Sequence, residues 1–140
     1  MKISLSLIAL LIGFNLFGQQ TGIVDFLTIK ALIIPSLEEK KVQGEYIATF
    51  KVLKPTDSIY LDAINTKLTW SSAENIKITA KDNKWWLTSD FKAEETYTIN
   101  ASYEATPRQT LYFTGNQIWT QGQGKYTSHW LPSIDDMNDK

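Results

Sequence analysis

The sequence predicts an all-β fold, an antiparallel β-sandwich, on three observations. Apolar and polar residues alternate over 44–52 and again over 97–103, the period-two pattern of strands with one face buried. Turn signals interrupt the chain at short intervals, as in sandwiches built from many short strands. Outside the N-terminal leader no stretch holds a helical period over about ten residues.

Residues 23–34 are rich in β-branched types and end at Pro35, so they read as a long first strand. The mixed charges of Glu38, Glu39, Lys40 and Lys41 mark a solvated connection. From Gly44 the alternation is clean: Tyr46, Ala48, Phe50 and Val52 share one face, with Glu45, Thr49 and Lys51 on the other. Pro55-Thr56-Asp57-Ser58 turns the chain, and Ile59 and Leu61 point inward from a short strand. Residues 68–70 form another. Ile76, Ile78 and Ala80 alternate before Lys81-Asp82-Asn83-Lys84 reverses the chain into Trp85-Trp86-Leu87-Thr88, which predicts a hairpin. Tyr97, Ile99, Ala101 and Tyr103 make one face of a strand that Pro107 ends. Gly115-Asn116 then joins two short strands, 111–114 and 117–120.

The first 18 residues read as a secretory signal peptide, a helical leader rather than part of the fold. Lys2 supplies a positive start, residues 3–17 an apolar run, and Gly18-Gln19-Gln20 a polar exit. The run is shorter than the about 20 residues a membrane span needs, so no stable span is expected after cleavage, with an uncleaved anchor as the alternative. Residues 19–140 form one domain, which is expected to be incomplete at its C-terminal end. The chain has no Cys, hence no disulfide and no lipid-bearing cysteine. Export without disulfides suits a bacterial periplasm or an extracellular surface. The formal net charge of −1 and the lack of a basic run exclude nucleic acid as a natural partner.

The segment 118–140 carries most of the functional information. It holds Thr120-Gln121-Gly122-Gln123, then Trp130-Leu131-Pro132-Ser133 and Asp135-Asp136. These resemble the T-Q-x-[QE] and [FW]-x-P-x-x-D-[DE] segments of the aminopeptidase N family of zinc metallopeptidases. Looser matches precede them in the family's order: Val42-Gln43-Gly44-Glu45, Ile59-Tyr60-Leu61-Asp62, and Tyr103-Glu104-Ala105 leading to Leu111-Tyr112-Phe113. The resemblance covers roughly residues 24–140 and corresponds to the family's N-terminal β-domain alone. It departs from the family around Ser128, where an Arg is usual, and at Met137, where a Pro is usual.

The resemblance implies a role in removing N-terminal residues from peptides, with this domain forming one wall of the substrate cleft. Gln123 then takes the family's substrate-contacting position, where its carboxamide oxygen accepts a hydrogen bond from the free α-ammonium of a peptide N-terminus. Gln121 supports the same segment, and Trp130, Pro132 and Asp135 build the corner behind it. The zinc of the family is held by an H-E-x-x-H helix, whose Glu serves as general base on metal-bound water. This chain has one His, His129, and no Cys, so no cofactor is expected in it. It is expected to be a truncated form, inactive alone, with an exposed sheet edge prone to self-association.

Other chemistries find less support. Asp135, Asp136 and Asp139 lack the spacing of a calcium loop with its about six to eight oxygen ligands. His129 stands without partner ligands. Trp85 and Trp86, as strand neighbours, point to opposite faces and make no two-ring sugar platform. No motif marks the paired carboxylates of a glycosidase. The alternative from another class is a secreted β-sandwich binding module for glycan or protein.

Overall fold

The computed structural model describes residues 20–121 and 126–135; the leader lies outside them. The described chain is all-β and antiparallel. Its strands are β1 (Val24–Ser36), β2 (Lys41–Val52), β3 (Thr56–Asp62), β4 (Thr66–Ser72), β5 (Lys77–Lys81), β6 (Lys84–Phe91), β7 (Thr96–Ala105), β8 (Leu111–Thr114) and β9 (Gln117–Thr120). Among the described residues no helix is long and apolar enough to cross a membrane.

A four-stranded sheet in the order β1-β2-β7-β4 packs against a three-stranded sheet in the order β3-β6-β5, and β8 and β9 form a separate hairpin. The core lies between the two larger sheets. Tyr46, Ala48, Phe50 and Val52 enter it from β2, Ile99, Ala101 and Tyr103 from β7, and Ile59, Leu61, Trp85, Leu87 and Phe91 from the facing sheet. Each large apolar side chain among them contributes about 1.5–3 kcal/mol on burial. The aromatic members interlock at steep angles: Trp85 meets Tyr46 and Tyr103 with ring centroids 5.7 and 5.5 Å apart, and Phe91 meets Phe50 at 5.9 Å. Edge-to-face contact of this kind sets the positive ring edge against a negative ring face.

Two turns explain the hairpins. Asp82 and Asn83 between β5 and β6 both have positive φ, 54° and 57°, the pair of left-handed residues that a tight hairpin with matching twist requires. Gly115 supplies a left-handed residue at φ 58° between β8 and β9. One boundary differs from expectation. β1 does not stop at Pro35 but runs through it, with Pro35 opposite Val42 and Ser36 opposite Lys41. β1 is an edge strand, and an edge tolerates a residue with no N–H to donate.

The β1 edge is long and apolar. Leu32 and Ile34 are about half exposed because they lie opposite Glu45 and Gln43, on the face of the four-stranded sheet turned away from the core.

Candidate functional site

Thr110 and residues 126–135 build a corner beside β3. Residues 127–129 form a single 3-10 turn (Thr127–His129), entered through Tyr126 at φ 81°. Trp130 N–H and Leu131 N–H both donate to Thr127 O, at 3.1 and 3.0 Å. The turn is fastened to the three-stranded sheet by an antiparallel bridge at its open edge. Asp62 N–H donates to Ser133 O at 2.8 Å, and Ser133 N–H donates back to Asp62 O at 3.0 Å. Ile64 N–H adds a bond to Ser128 O at 2.9 Å.

Side chains complete the fastening. The Asp62 carboxylate accepts from Lys84 Nζ at 2.8 Å and from Asp135 N–H at 3.1 Å. Lys84 Nζ also lies 3.6 Å from the centroid of the Tyr60 ring, a cation over an aromatic face. Trp130 is held at both ends: its carbonyl accepts from the Tyr103 hydroxyl at 2.7 Å, and its Nε1–H donates to Thr110 Oγ1 at 3.1 Å.

Thr110 joins the described residues on either side of 122–125. It is buried and sits at φ 63°, an outlier position for a β-branched residue. Its carbonyl accepts from Gln121 N–H at 2.9 Å, and its hydroxyl donates to Tyr126 O at 2.8 Å. Both stems of the segment 122–125 are therefore tied to one residue. Gln123 lies in that segment, outside the described residues. The Gln121 backbone is fixed by Thr110 and the residue is exposed. Trp130 and Asp135 are half-buried and Pro132 buried; Trp130 is tied to Tyr103 and Thr110, and Asp135 to Ser128 and Asp62.

Burial decides the charge state of the one histidine. It pushes the His129 pKa below its ordinary 6.5, and nearby Arg108 adds to this, while Asp135 opposes it. His129 is therefore neutral at pH 7. Its ring stands edge-on to Tyr126 at 5.9 Å. Ser128, His129 and Asp135 are the residue types of a nucleophilic triad, but the connectivity is wrong for one. The buried Ser128 hydroxyl donates directly to Asp135 Oδ2, and His129 Nδ1 has no partner among the described residues. The Ser128–Asp135 bond and the Asp62–Ser133 bridge cross-brace the corner.

Among the described residues no group of three or more His, Cys, Asp or Glu could hold a metal ion. With one His in all, the chain's residues do not fit the H-E-x-x-H zinc site. Trp85 is buried between the sheets while Trp86 lies half-buried against Tyr60, ring centroids 5.4 Å apart.

Sequence reasoning misses four anchors of the corner: Asp62, Lys84, Tyr103 in its role toward Trp130, and Thr110. All four act on residues distant along the chain. Only Thr110 has a local signal, since Pro107-Arg108-Gln109-Thr110 announces a turn without saying what it holds.

No protein-family model matches the chain, and no curated protein does. Solved structures do. A mutant of a two-domain M1 zinc metallopeptidase bound to L-tryptophan superposes with a TM-score of 0.73 at 16% identity, covering 84% of this chain and 31% of that one. An M1 zinc metallopeptidase from Deinococcus radiodurans superposes with a TM-score of 0.73 at 18% identity, covering 84% of this chain and 30% of that one. A mutant from the same organism bound to a Tyr-Ser-Ala substrate gives 0.72 at 17% identity, with 84% and 30% covered. The chain thus spans about a third of the length of these enzymes. What the likeness establishes is the fold: an antiparallel β-architecture shared with one portion of M1 zinc metallopeptidases.

Proposed function

We propose that this chain carries the N-terminal substrate-cleft domain of a zinc aminopeptidase; its residues include no H-E-x-x-H segment, and no peptidase activity is expected of them alone. The observation that carries this reading is the coincidence of two likenesses. The fold superposes on M1 zinc metallopeptidases over 84% of the chain, and Asp62, Tyr103, Gln121, Trp130 and Asp135, all from segments resembling the aminopeptidase N pattern, take part in the hydrogen bonds of one corner. In this reading Gln123 belongs to the cleft wall, between Gln121 and Tyr126, which are both bonded to Thr110. The Gln123 carboxamide accepts a hydrogen bond from a substrate's α-ammonium, which favours a free N-terminus over an internal peptide bond. Zinc belongs to the catalytic part of the parent enzyme, and the leader exports the protein to the periplasm or beyond.

The test is a peptidase assay on the purified chain with aminoacyl-anilide substrates and added zinc. No release above background is expected, since the chain cannot assemble the H-E-x-x-H ligands and general base. Chelator-sensitive turnover overturns the reading. Sequencing past the codon for Lys140 supplies the complementary check: an open frame leading to H-E-x-x-H supports it.

A further inference from the structure

Register places a patterned groove on the outer face of the four-stranded sheet. Paired residues in neighbouring strands share a face, so the pairings define its rows. Leu32 lies opposite Glu45, Glu45 opposite Ser102, and Ser102 opposite Trp70. In the adjacent row Lys30 lies opposite Ile47, and Ile47 opposite Asn100. The groove these residues line has a volume of about 460 Å³. Leu32, Ile47 and Trp70 are 55%, 42% and 55% exposed there, a concentration of large apolar groups that marks an interaction surface.

The charges say what covers it. Lys41 is paired with Glu104 at 4.0 Å and Lys51 with Glu94 at 2.6 Å. Lys30 and Glu45, within the groove, have no ion pair among the described residues. The two rows place Lys30 and Glu45 on one diagonal of a four-residue square and Leu32 and Ile47 on the other. A two-fold axis along the apolar diagonal sets Leu32 on Leu32, Ile47 on Ile47, and each Lys30 on the other copy's Glu45. An isologous dimer needs such self-complementarity, whereas a strongly charged partner meets a groove whose charges cancel.

We propose that this face is the interface of a homodimer, with a second copy of the chain seated outer sheet to outer sheet. It differs from pairing through the open β1 edge, which involves backbone groups and not these side chains.

Sedimentation equilibrium on the purified full chain over a range of concentrations tests it, with far-UV circular dichroism to establish that each variant is folded. A reversible monomer–dimer equilibrium is expected. Lys30→Glu or Glu45→Lys alone sets like charges face to face at two symmetric points and weakens association about tenfold or more. The double variant Lys30→Glu/Glu45→Lys restores it, and Leu32→Glu abolishes it. A monomer at every concentration overturns the proposal. So does association that ignores the single reversals, which places the contact at the β1 edge, or a double variant as weak as the singles.

Discussion

Replacing Gly44 by Ala is expected to destabilise the domain by about 1–3 kcal/mol, the usual range for overpacking a core. A Cβ at Gly44 would lie 2.2 Å from Tyr103 Cε1, 2.3 Å from Cζ and 2.6 Å from the hydroxyl. Gly44 and Tyr103 are directly opposed in the β2–β7 register, and the ring lies across the space a side chain would fill. Glycine is required here by close approach, not by backbone angle. The ring's position is what allows the Tyr103 hydroxyl to reach Trp130 O, so the substitution also loosens the corner. The sign depends on the ring. With Tyr103→Ala as background, Gly44→Ala is expected to become neutral or stabilising, since glycine within a strand costs about 0.5–1 kcal/mol relative to alanine. Urea unfolding of the four members of the cycle measures this coupling. An equal cost in both backgrounds would show that the ring is not the obstacle.

Trp85→Ala is expected to cost about 3–5 kcal/mol, a large part of the about 5–15 kcal/mol that holds a typical domain folded. Trp85 is fully buried and bridges Tyr46 of β2 and Tyr103 of β7, so its removal opens a cavity that touches both sheets. Trp86→Ala is expected to cost far less, about 1 kcal/mol, because it loses chiefly one half-exposed aromatic pair with Tyr60. Trp85→Phe falls between. It keeps an aromatic ring at the centre and removes an indole N–H that is buried without an acceptor among the described residues, which offsets part of the lost packing. Thermal or urea unfolding of the three variants checks the order. A Trp86→Ala cost equal to that of Trp85→Ala would contradict the placement of the two rings.

The difference between these neighbours was legible in the sequence, because alternation sends adjacent strand residues to opposite faces. So was the inward set of β2 and β7, where period-two patterning is strongest. Asp82-Asn83 and Gly115-Asn116 marked their hairpins because positive φ is a local requirement with few residue solutions. Pro35 was misleading because proline reports only that one N–H is missing. Whether that ends a strand depends on the strand being at an edge, and edge position is a property of the whole sheet.

The candidate site was legible unevenly. Trp130, Pro132 and Asp135 stood out as a cluster. Asp62 did not, because its importance arises from Ser133 docking on the β3 edge and from Lys84 arriving from the neighbouring strand β6. Thr110 looked like an ordinary loop residue, and only tertiary structure shows it holding Gln121, Tyr126 and Trp130 together. The Lys30–Glu45 diagonal was equally hidden, since it follows from strand register and from no local pattern.

We propose that Gln123, which lies between Gln121 and Tyr126, both bonded to Thr110, accepts a hydrogen bond from a free peptide N-terminus. The most direct measurement of this is a nuclear magnetic resonance titration of the isotope-labelled chain with a short peptide, run in parallel with the same peptide N-acetylated. The free-amine peptide is expected to shift the Gln123 side-chain amide and the backbone signals of Gln121 and Tyr126, and the acetylated peptide to leave them in place. Equal shifts with both peptides, or shifts confined to the outer sheet face around Trp70, would contradict it.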